Sequence, residues 1–245
     1  MNNIEKVLRE LHRRVYKNIK HLIFFRPNIV LSKSLDYDSY WQRKKDKKSL
    51  NIINPFQLER ANFIKSHIED NQSLLDIGTG DGTILLEVMK DKKVSCYGTD
   101  ISDYILNFLK TQNISSIKWD FNSDSPDILP NTDYILMLEV IEHMQDSENF
   151  VLQMLNKSRK GVFISVPNTG FFPWRIRFLF GYFPVQWLTH PGEHLRFWTY
   201  KDMKWWLKQM NLNNYTIYPY EGIPLLNKLW PSLFAQAMII KIDKE

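Results

Sequence analysis

The segment LLDIGTGDG, residues 74–82, places a glycine-rich turn directly after an apolar run. Glycine is needed where the chain turns sharply and where backbone must approach a ligand closely, and free amides at the start of a following helix suit a carboxylate. The spacing G-x-G-x-G puts Thr83 where a dinucleotide-binding turn has its last glycine. Asp76, just before the turn, would repel a pyrophosphate and attract a cation. The turn therefore predicts a cationic ligand and argues against a dinucleotide.

Acidic residues also end the next three predicted strands. Asp100 follows the second strand, where a carboxylate can accept both ribose hydroxyls of a nucleoside. Asp120 ends the third strand and could accept an exocyclic amine, while Phe121 covers the face of a base. Glu139 ends the fourth strand, in the segment LEVIEH. Because ligands of open α/β sheets bind at the carboxyl ends of the strands, these residues predict one nucleoside-binding site.

A candidate for proton transfer lies just past the fourth predicted strand. The imidazole of His143 can take a proton from a hydroxyl or an ammonium group near neutral pH. A histidine at this place could equally order the loop that follows. Glu139, Glu142 and His143 could instead hold a divalent metal ion, since carboxylates and imidazoles are common ligands. Our first prediction is His143 as general base, without a metal.

Alternating strands and helices must position these residues. The pattern predicts an α/β fold, with a Rossmann-like, doubly wound and mostly parallel seven-stranded sheet. An insertion rich in aromatics and prolines, at about 170–198, follows the fifth strand and would close over the site as a cap. Thr199 and Asp202 predict the start of a later helix. The seven strands are predicted at 73–77, 94–99, 117–121, 133–138, 161–166, 215–218 and 237–242.

The charge of the chain is unevenly distributed. The formal net charge is +5, but residues 1–50 carry +8 and residues 51–245 carry −3. Apolar residues at helical spacing between Ile4 and Ile23 predict an amphipathic helix with a basic face, and Arg43–Lys48 predicts a loop. We therefore divide the chain into a basic N-terminal helical segment, 1–50, and a domain, 51–245. The basic helix would either pack on the domain or contact a membrane surface.

Several classes of protein are disfavoured by composition. The single cysteine, Cys96, excludes an intrachain disulfide framework. Charges throughout the first 25 residues leave no apolar core of a signal peptide, so we expect a cytoplasmic protein. The acidic body also argues against a nucleic-acid partner.

At residues 73–168 the chain resembles the core of class I S-adenosylmethionine-dependent methyltransferases. The segments that carry the resemblance are LLDIGTGDG, YGTDIS, KWDFN, LEVIEH and SVPN. The segment VFISVPNTGFFPWRIRFLFGYFP is similar to MetW-like proteins, next to the ubiquinone O-methyltransferase-like branch. The run HPGEHLRFWTYKDM is similar to methyltransferases of surface-polysaccharide gene clusters.

The resemblance implies S-adenosyl-L-methionine as the cofactor. The glycines would pass its methionine part, Asp76 would face its ammonium group and Asp100 its ribose. Ile101 and Phe121 would lie beside the adenine, and Asp120 would meet the adenine amine. Glu139 and Val140 would border the methyl-transfer site. The full predicted set is Asp76, Gly78, Thr79, Gly80, Asp81, Gly82, Asp100, Ile101, Asp120, Phe121, Glu139 and Val140.

The acceptor site is predicted from the cap and from an N-terminal element of the resembling group. Two histidines and an arginine suit a phosphate or a carboxylate, although they could also bind the backbone of the cap itself. The candidates are Tyr40, Arg43, His190, His194 and Arg196. The sequence thus predicts methylation of an oxygen or a nitrogen on a small anionic or sugar-type acceptor, in surface-polysaccharide synthesis. The alternative is a MetW-like accessory partner without catalysis.

Overall fold

The computed structural model describes residues 24–26, 37–46, 50, 52–186 and 194–244. The predicted N-terminal amphipathic helix and His190 lie outside these ranges. Among the helices within them, none is long and apolar enough to cross a membrane.

One seven-stranded sheet runs through the domain in the order β3-β2-β1-β4-β5-β7-β6. The first five strands are parallel, and the chain reverses its direction across the sheet between β1 and β4. Ligands of open α/β sheets bind at such a switch point. The strands are β1 (Ser73–Ile77), β2 (Ser95–Asp100), β3 (Ser115–Lys118), β4 (Tyr134–Leu138), β5 (Gly161–Pro167), β6 (Tyr215–Gly222) and β7 (Ala235–Asp243).

The sheet is mixed, because β7 is antiparallel to both of its neighbours, β5 and β6. The predicted count of seven strands and the Rossmann-like class are confirmed. The prediction did not specify that β7 enters between β5 and β6, against the direction of the others.

Helices cover both faces of the sheet. The described helices are α1 (Tyr37–Asp46), α2 (Pro55–His67), α3 (Thr83–Met89), α4 (Asp103–Thr111), α5 (Ser147–Lys157), α6 (Phe172–Leu179), α7 (Tyr200–Gln209), α8 (Leu226–Leu229) and α9 (Pro231–Phe234). Leu74 of β1 packs in the core with α2, α3 and α4, whereas the next residue, Leu75, packs with α5 and α7. This alternation produces the doubly wound arrangement, since successive side chains of a strand point to opposite faces.

Local signals fix several helix starts. Asn54 and Gln57 form a capping box in front of α2, with Pro55 at its first position. Thr199 and Asp202 form another at α7, as the sequence predicts. In each box, two backbone amides at the helix start donate hydrogen bonds to side-chain oxygens.

Of the predicted boundaries that differ from the structure, two bear on the site. The run from Arg43 was predicted as a loop, but α1 continues through it to Asp46. The third strand was predicted to end at Phe121, but β3 ends at Lys118. Asp120 and Phe121 therefore lie in the turn after the strand, where the amides of Ser123 and Asp124 donate to the carbonyl of Asp120.

Candidate functional site

A cavity of about 440 Å³ opens beside the carboxyl ends of β1, β2 and β4. Helix α1 forms one of its walls, and the turns after β1, β2, β3 and β4 form the rest. Its lining is aromatic and acidic, and within the described ranges it includes no lysine or arginine. The lining residues are Tyr37, Tyr40, Trp41, Gly78, Asp100, Ile101, Trp119, Asp120, Phe121, Asn122, Glu139, Val140 and His143.

The glycine turn after β1 adopts a backbone that other residues rarely take. Gly78, Gly80 and Gly82 have φ angles of 64°, 55° and 70°. A Cβ on Gly80 would stand 2.7 Å from Cη2 of Trp41, and one on Gly82 would stand 2.7 Å from Cδ2 of Leu109. The turn thus needs glycine for its sharp conformation, as the sequence predicts, and also for its close contacts with Trp41 and Leu109.

Asp100, at the end of β2, is buried and organises this turn. Its Oδ2 accepts a hydrogen bond from the backbone amide of Gly80 at 3.2 Å, and its Oδ1 accepts one from the amide of Ser102 at 3.0 Å. Burial raises the pKa of Asp100, and the amides of Ser102 and Gly80 oppose this increase. A polar ligand that donates to this carboxylate would compensate for its burial.

Asp76 lies under the turn and is 4% exposed. Burial raises its pKa to about 7, against the opposing influences of the neighbouring Thr79 and of Arg60. A carboxyl group with this pKa binds a proton readily near neutral pH and becomes ionised when a cation approaches.

The other two turn residues have structural contacts. Asp81 accepts hydrogen bonds from the hydroxyl and the backbone amide of Thr83, at the start of α3. The backbone amide of Thr79 donates to the carbonyl of Thr99 on β2. These contacts hold the turn against β2 and α3.

The turn after β3 supplies the third group of lining residues. Oδ1 of Asp120 accepts a hydrogen bond from the amide of Asn122 at 2.9 Å, and Phe121 packs against Phe150. Trp119 is buried and lines the cavity beside them. Sequence reasoning missed Trp119 and Asn122, although both flank the Asp120–Phe121 pair that it identified.

Glu139 follows β4 with a left-handed backbone, φ 59°. Its Oε1 lies 3.3 Å from Nη1 of Arg60, on α2, and accepts a hydrogen bond from the hydroxyl of Ser165 at 2.8 Å. Arg60 itself is buried; burial alone would lower its pKa, but Tyr220 and the carboxylates of Glu139 and Glu142 raise it overall. Nothing in the sequence around Arg60 indicates this role, because its partners lie far along the chain.

Three side chains next to Glu139 form a compact group: Glu142, His143 and His194. Their potential ligand atoms all lie within 4.8 Å of one another. The predicted metal set was Glu139, Glu142 and His143, but in the structure His194 takes the place of Glu139 in the group. The carboxylate of Glu139 is instead bound to Arg60 and Ser165. A carboxylate and two imidazoles are a suitable donor set for a divalent ion.

The members of this group differ in charge. Glu142 is buried, and neither of its carboxylate oxygens has a hydrogen-bond partner in the described part of the chain. Burial, and then the charge of Glu139, raise its pKa. Burial and the proximity of His143 lower the pKa of His194 to about 4, so His194 is neutral near pH 7. The rings of His143 and His194 meet edge to face at 4.8 Å.

The predicted acceptor residues are distributed over different places. Tyr40 lines the cavity, whereas Arg43 is exposed on the same helix and is not part of the lining. The guanidinium of Arg196 binds the carbonyl of Gln145 and the carboxylate of Glu148, away from the cavity. Of the two predicted cap residues that the structure describes, His194 and Arg196, only His194 lies near the cavity. Its ring contacts that of His143, which lines the cavity.

Asp38 is one of the side chains that attach the wall formed by α1. Oδ1 of Asp38 accepts hydrogen bonds from the hydroxyl of Ser102 and from the backbone amide of Tyr104. Both donors belong to the start of α4, directly after Asp100. Helix α1 therefore contacts the turn after β2, which lines the cavity. The sequence division had assigned its residues, 37–46, to the N-terminal segment.

Comparison with known proteins points to one group. A family model described as a methyltransferase domain matches residues 41–217. No curated protein sequence matches the chain.

Solved structures with this fold are numerous and distant in sequence. A SAM-dependent methyltransferase from Archaeoglobus fulgidus superposes with a TM-score of 0.56 at 19% identity, covering 84% of this chain and 100% of that chain. One from Thermotoga maritima gives 0.58 at 12% identity, covering 85% and 98%. The N-terminal domain of EvdMO1, determined in the presence of SAH and D-fucose, gives 0.54 at 11% identity, covering 96% and 97%. At these identities the likeness is one of fold.

Proposed function

The chain belongs to the methyltransferase-domain family, and from this premise we propose that it methylates a hydroxyl group of a small, sugar-type acceptor, with S-adenosylmethionine as the methyl donor. The proposal rests mainly on the cavity at the switch point of the sheet, where Asp100, Asp120 and Glu139 lie beside His143. The polysaccharide role, the MetW-like branch and the cytoplasmic location stay predictions.

The residues present fit such a donor. The left-handed glycine turn leaves backbone accessible to the amino-acid part, and the buried Asp76 below it suits the ammonium group. Asp100 is held in place to accept hydroxyl hydrogens, and Trp119 and Phe121 provide apolar surface for a base. When bound, the sulfonium of S-adenosylmethionine supplies an electrophilic methyl group.

The contribution of the chain to the reaction is then positioning and proton transfer. Walls that hold the acceptor oxygen in line and exclude water can remove about 7–11 kcal/mol from a barrier. His143 lines the cavity and would take the proton from the acceptor hydroxyl, an effect of about 10²- to 10⁴-fold. His194, which lies beside His143, is neutral near pH 7. It therefore adds no positive charge that would oppose the transfer of this proton to His143.

The charges of the described residues favour a sugar over an anion. Within these ranges no lysine or arginine lines the cavity, and Arg196 is engaged with Gln145 and Glu148. Carboxylates and aromatic rings instead suit the hydroxyls and the apolar faces of a sugar. The presence of D-fucose in the EvdMO1 structure makes this sugar a natural first probe.

Binding and turnover test the proposal separately. Calorimetry should show that the wild type binds S-adenosylhomocysteine and that Asp100→Ala binds about ten- to a hundredfold more weakly, because hydrogen bonds to a charged group contribute about 1.5–3 kcal/mol each. Asp103→Ala is the matched control, since Asp103 is exposed and pairs with Lys118. Mass spectrometry would then detect a methyl group on D-fucose or on nucleotide-linked sugars.

Each outcome has a clear meaning. If the wild type does not bind S-adenosylhomocysteine, the donor assignment is wrong. If it binds and methylates amines but no hydroxyl, the acceptor class is wrong. Binding without turnover on any acceptor would favour the accessory-partner alternative.

A further inference from the structure

Glu142 is a buried acid that the proposed reaction does not use. Its residue is 1% exposed, and neither carboxylate oxygen has a hydrogen-bond partner in the part of the chain that the structure describes. Burying such a group costs free energy unless a proton, a hydrogen-bond donor or a cation satisfies it. The buried cation nearby, Arg60, is bound to Glu139 at 3.3 Å. The carboxylate of Glu142 is therefore available to a partner that comes from outside the chain.

Two imidazoles lie beside this carboxylate. The potential ligand atoms of Glu142, His143 and His194 are all within 4.8 Å of one another, and both histidines are partly buried. Two imidazoles and a carboxylate are a known ligand set of zinc sites that keep a further position open. Nitrogen ligands also favour Zn²⁺ and related transition metals over Mg²⁺ and Ca²⁺, which prefer oxygen. The chemistry of the group thus selects a divalent transition-metal ion.

Backbone hydrogen bonds hold the two segments of the group together. The amides of Leu195 and Arg196 donate to the carbonyl of Glu142 at 2.8 and 3.0 Å. They fasten the segment that carries His194 to the turn that carries Glu142 and His143, without using any of the three side chains. A zinc ion needs its ligand atoms about 2 Å away, and so about 3–4 Å from one another. Side-chain rotation can supply this small contraction from 4.8 Å.

One member of the group, His143, also lines the cavity in which methyl transfer is proposed. A neutral imidazole has one basic nitrogen, and its other nitrogen carries a hydrogen. When a metal ion occupies the basic nitrogen, the ring has no site left for a proton. A metal ion bound to His143 would therefore prevent it from accepting the proton of an acceptor hydroxyl.

We propose that Glu142, His143 and His194 bind a divalent transition-metal ion, best matched by Zn²⁺, and that the bound ion blocks methyl transfer. His194 of the cap completes this set. Glu139, which the sequence favours as a ligand, is bound to Arg60 instead. Metal binding follows from the three side chains alone, whereas the block of turnover rests on the proposed function, with His143 as the base.

Calorimetric titration of the full chain with zinc chloride tests the site without any acceptor. Magnesium chloride should bind at least about tenfold more weakly than zinc chloride. Glu142→Gln and His194→Ala should each weaken zinc binding at least about tenfold, because each removes a ligand. His67→Ala is the matched control; its Nδ1 lies 2.8 Å from the carbonyl oxygen of Phe63, at the end of α2. This variant should bind zinc as the wild type does.

Two further measurements make the test specific. Glu139→Gln should leave zinc affinity nearly unchanged, since Glu139 is not a ligand in this set. Saturating zinc should lower kcat of the wild type for a hydroxyl acceptor by about 10²-fold or more. In His194→Ala the ratio of kcat with and without the same concentration of zinc should be close to one.

Circular dichroism shows that each variant is folded. The site is overturned if the wild type does not bind zinc, or if Glu142→Gln and His194→Ala bind it as the wild type does. Loss of binding in Glu139→Gln but not in His194→Ala would overturn it too, in favour of the set that the sequence predicts. Zinc that binds at this site without lowering kcat overturns the block. A chain without methyltransferase activity would still give the zinc titration, so the two proposals fail separately.

Discussion

The indole ring of Trp41 lies directly against Gly80, so that a Cβ on Gly80 would stand 2.7 Å from Cη2 of Trp41. This contact joins α1 to the glycine turn across one side of the cavity. The wall that faces the donor site thus comes from a helix that precedes the first strand of the sheet.

We expect Gly80→Ala to weaken the binding of S-adenosylhomocysteine by at least about tenfold. The new methyl group would force Trp41 to move and would strain a residue whose φ is 55°, at a cost of about 1–3 kcal/mol. Calorimetry measures the loss. Gly181→Ala is the control, because Gly181 also has a positive φ, 74°, but nothing lies within 4 Å of its added Cβ.

Arg60→Met should lower the free energy of unfolding by about 3 kcal/mol, since it leaves the carboxylates of Glu139 and Glu142 without their buried cation. Urea denaturation measures this loss. The double variant Arg60→Met/Glu139→Gln should recover part of the stability. Equal stability of the two variants would show that the unpaired carboxylate of Glu139 costs nothing, and an Arg60→Met variant as stable as the wild type would show that the ion pair does not contribute.

Stability and donor binding should respond to pH in opposite ways through Asp76. Because burial raises the pKa of Asp76 from its usual 3.8 to about 7, the folded state holds a proton that the unfolded state releases. The stability that this proton contributes is fully present below pH 3.8 and is lost as the pH rises to about 7. Affinity for the ammonium of S-adenosylhomocysteine should rise over the upper part of the same range, as the carboxylate forms.

Thermal melts and calorimetry between about pH 5 and pH 7.5 check both trends. In Asp76→Asn neither should depend on pH in this way. A wild type and a variant with parallel profiles would show that another group titrates.

His143→Gln should lower kcat for a hydroxyl acceptor by about 10²- to 10⁴-fold and leave the affinity for S-adenosylhomocysteine nearly unchanged. The reason is that His143 would act on the acceptor proton and not on the donor. An unchanged kcat would show that the base lies elsewhere.

The sequence predicts the features that local pattern determines. The glycine turn, Asp100 and the cap of α7 depend on residues within a few positions of one another, and each occurs as expected. The roles of Trp41 and Arg60 depend on contacts with Gly80 and Glu139, which are distant in the chain, so no spacing signals them.

Two other differences between sequence and structure have separate causes. The sequence KWDF alternates apolar and polar residues as a strand does, but the carbonyl of Asp120 is taken by the turn amides of Ser123 and Asp124. Arg196 looked available for an anion because its partner, Glu148, lies on a separate helix. In the first case a local turn overrides the strand pattern, and in the second a tertiary ion pair engages the arginine.

The placement of β7 has a consequence for how the protein is made. Residues 168–234 separate β5 from the strand that pairs with its outer edge, and β6 reaches the sheet only through β7. While a ribosome is still translating this stretch, β5 presents an unpaired, apolar edge that can join another chain. Completion of the sheet therefore waits until β7 has emerged, and nascent chains stalled before residue 235 are the species that should need a chaperone most.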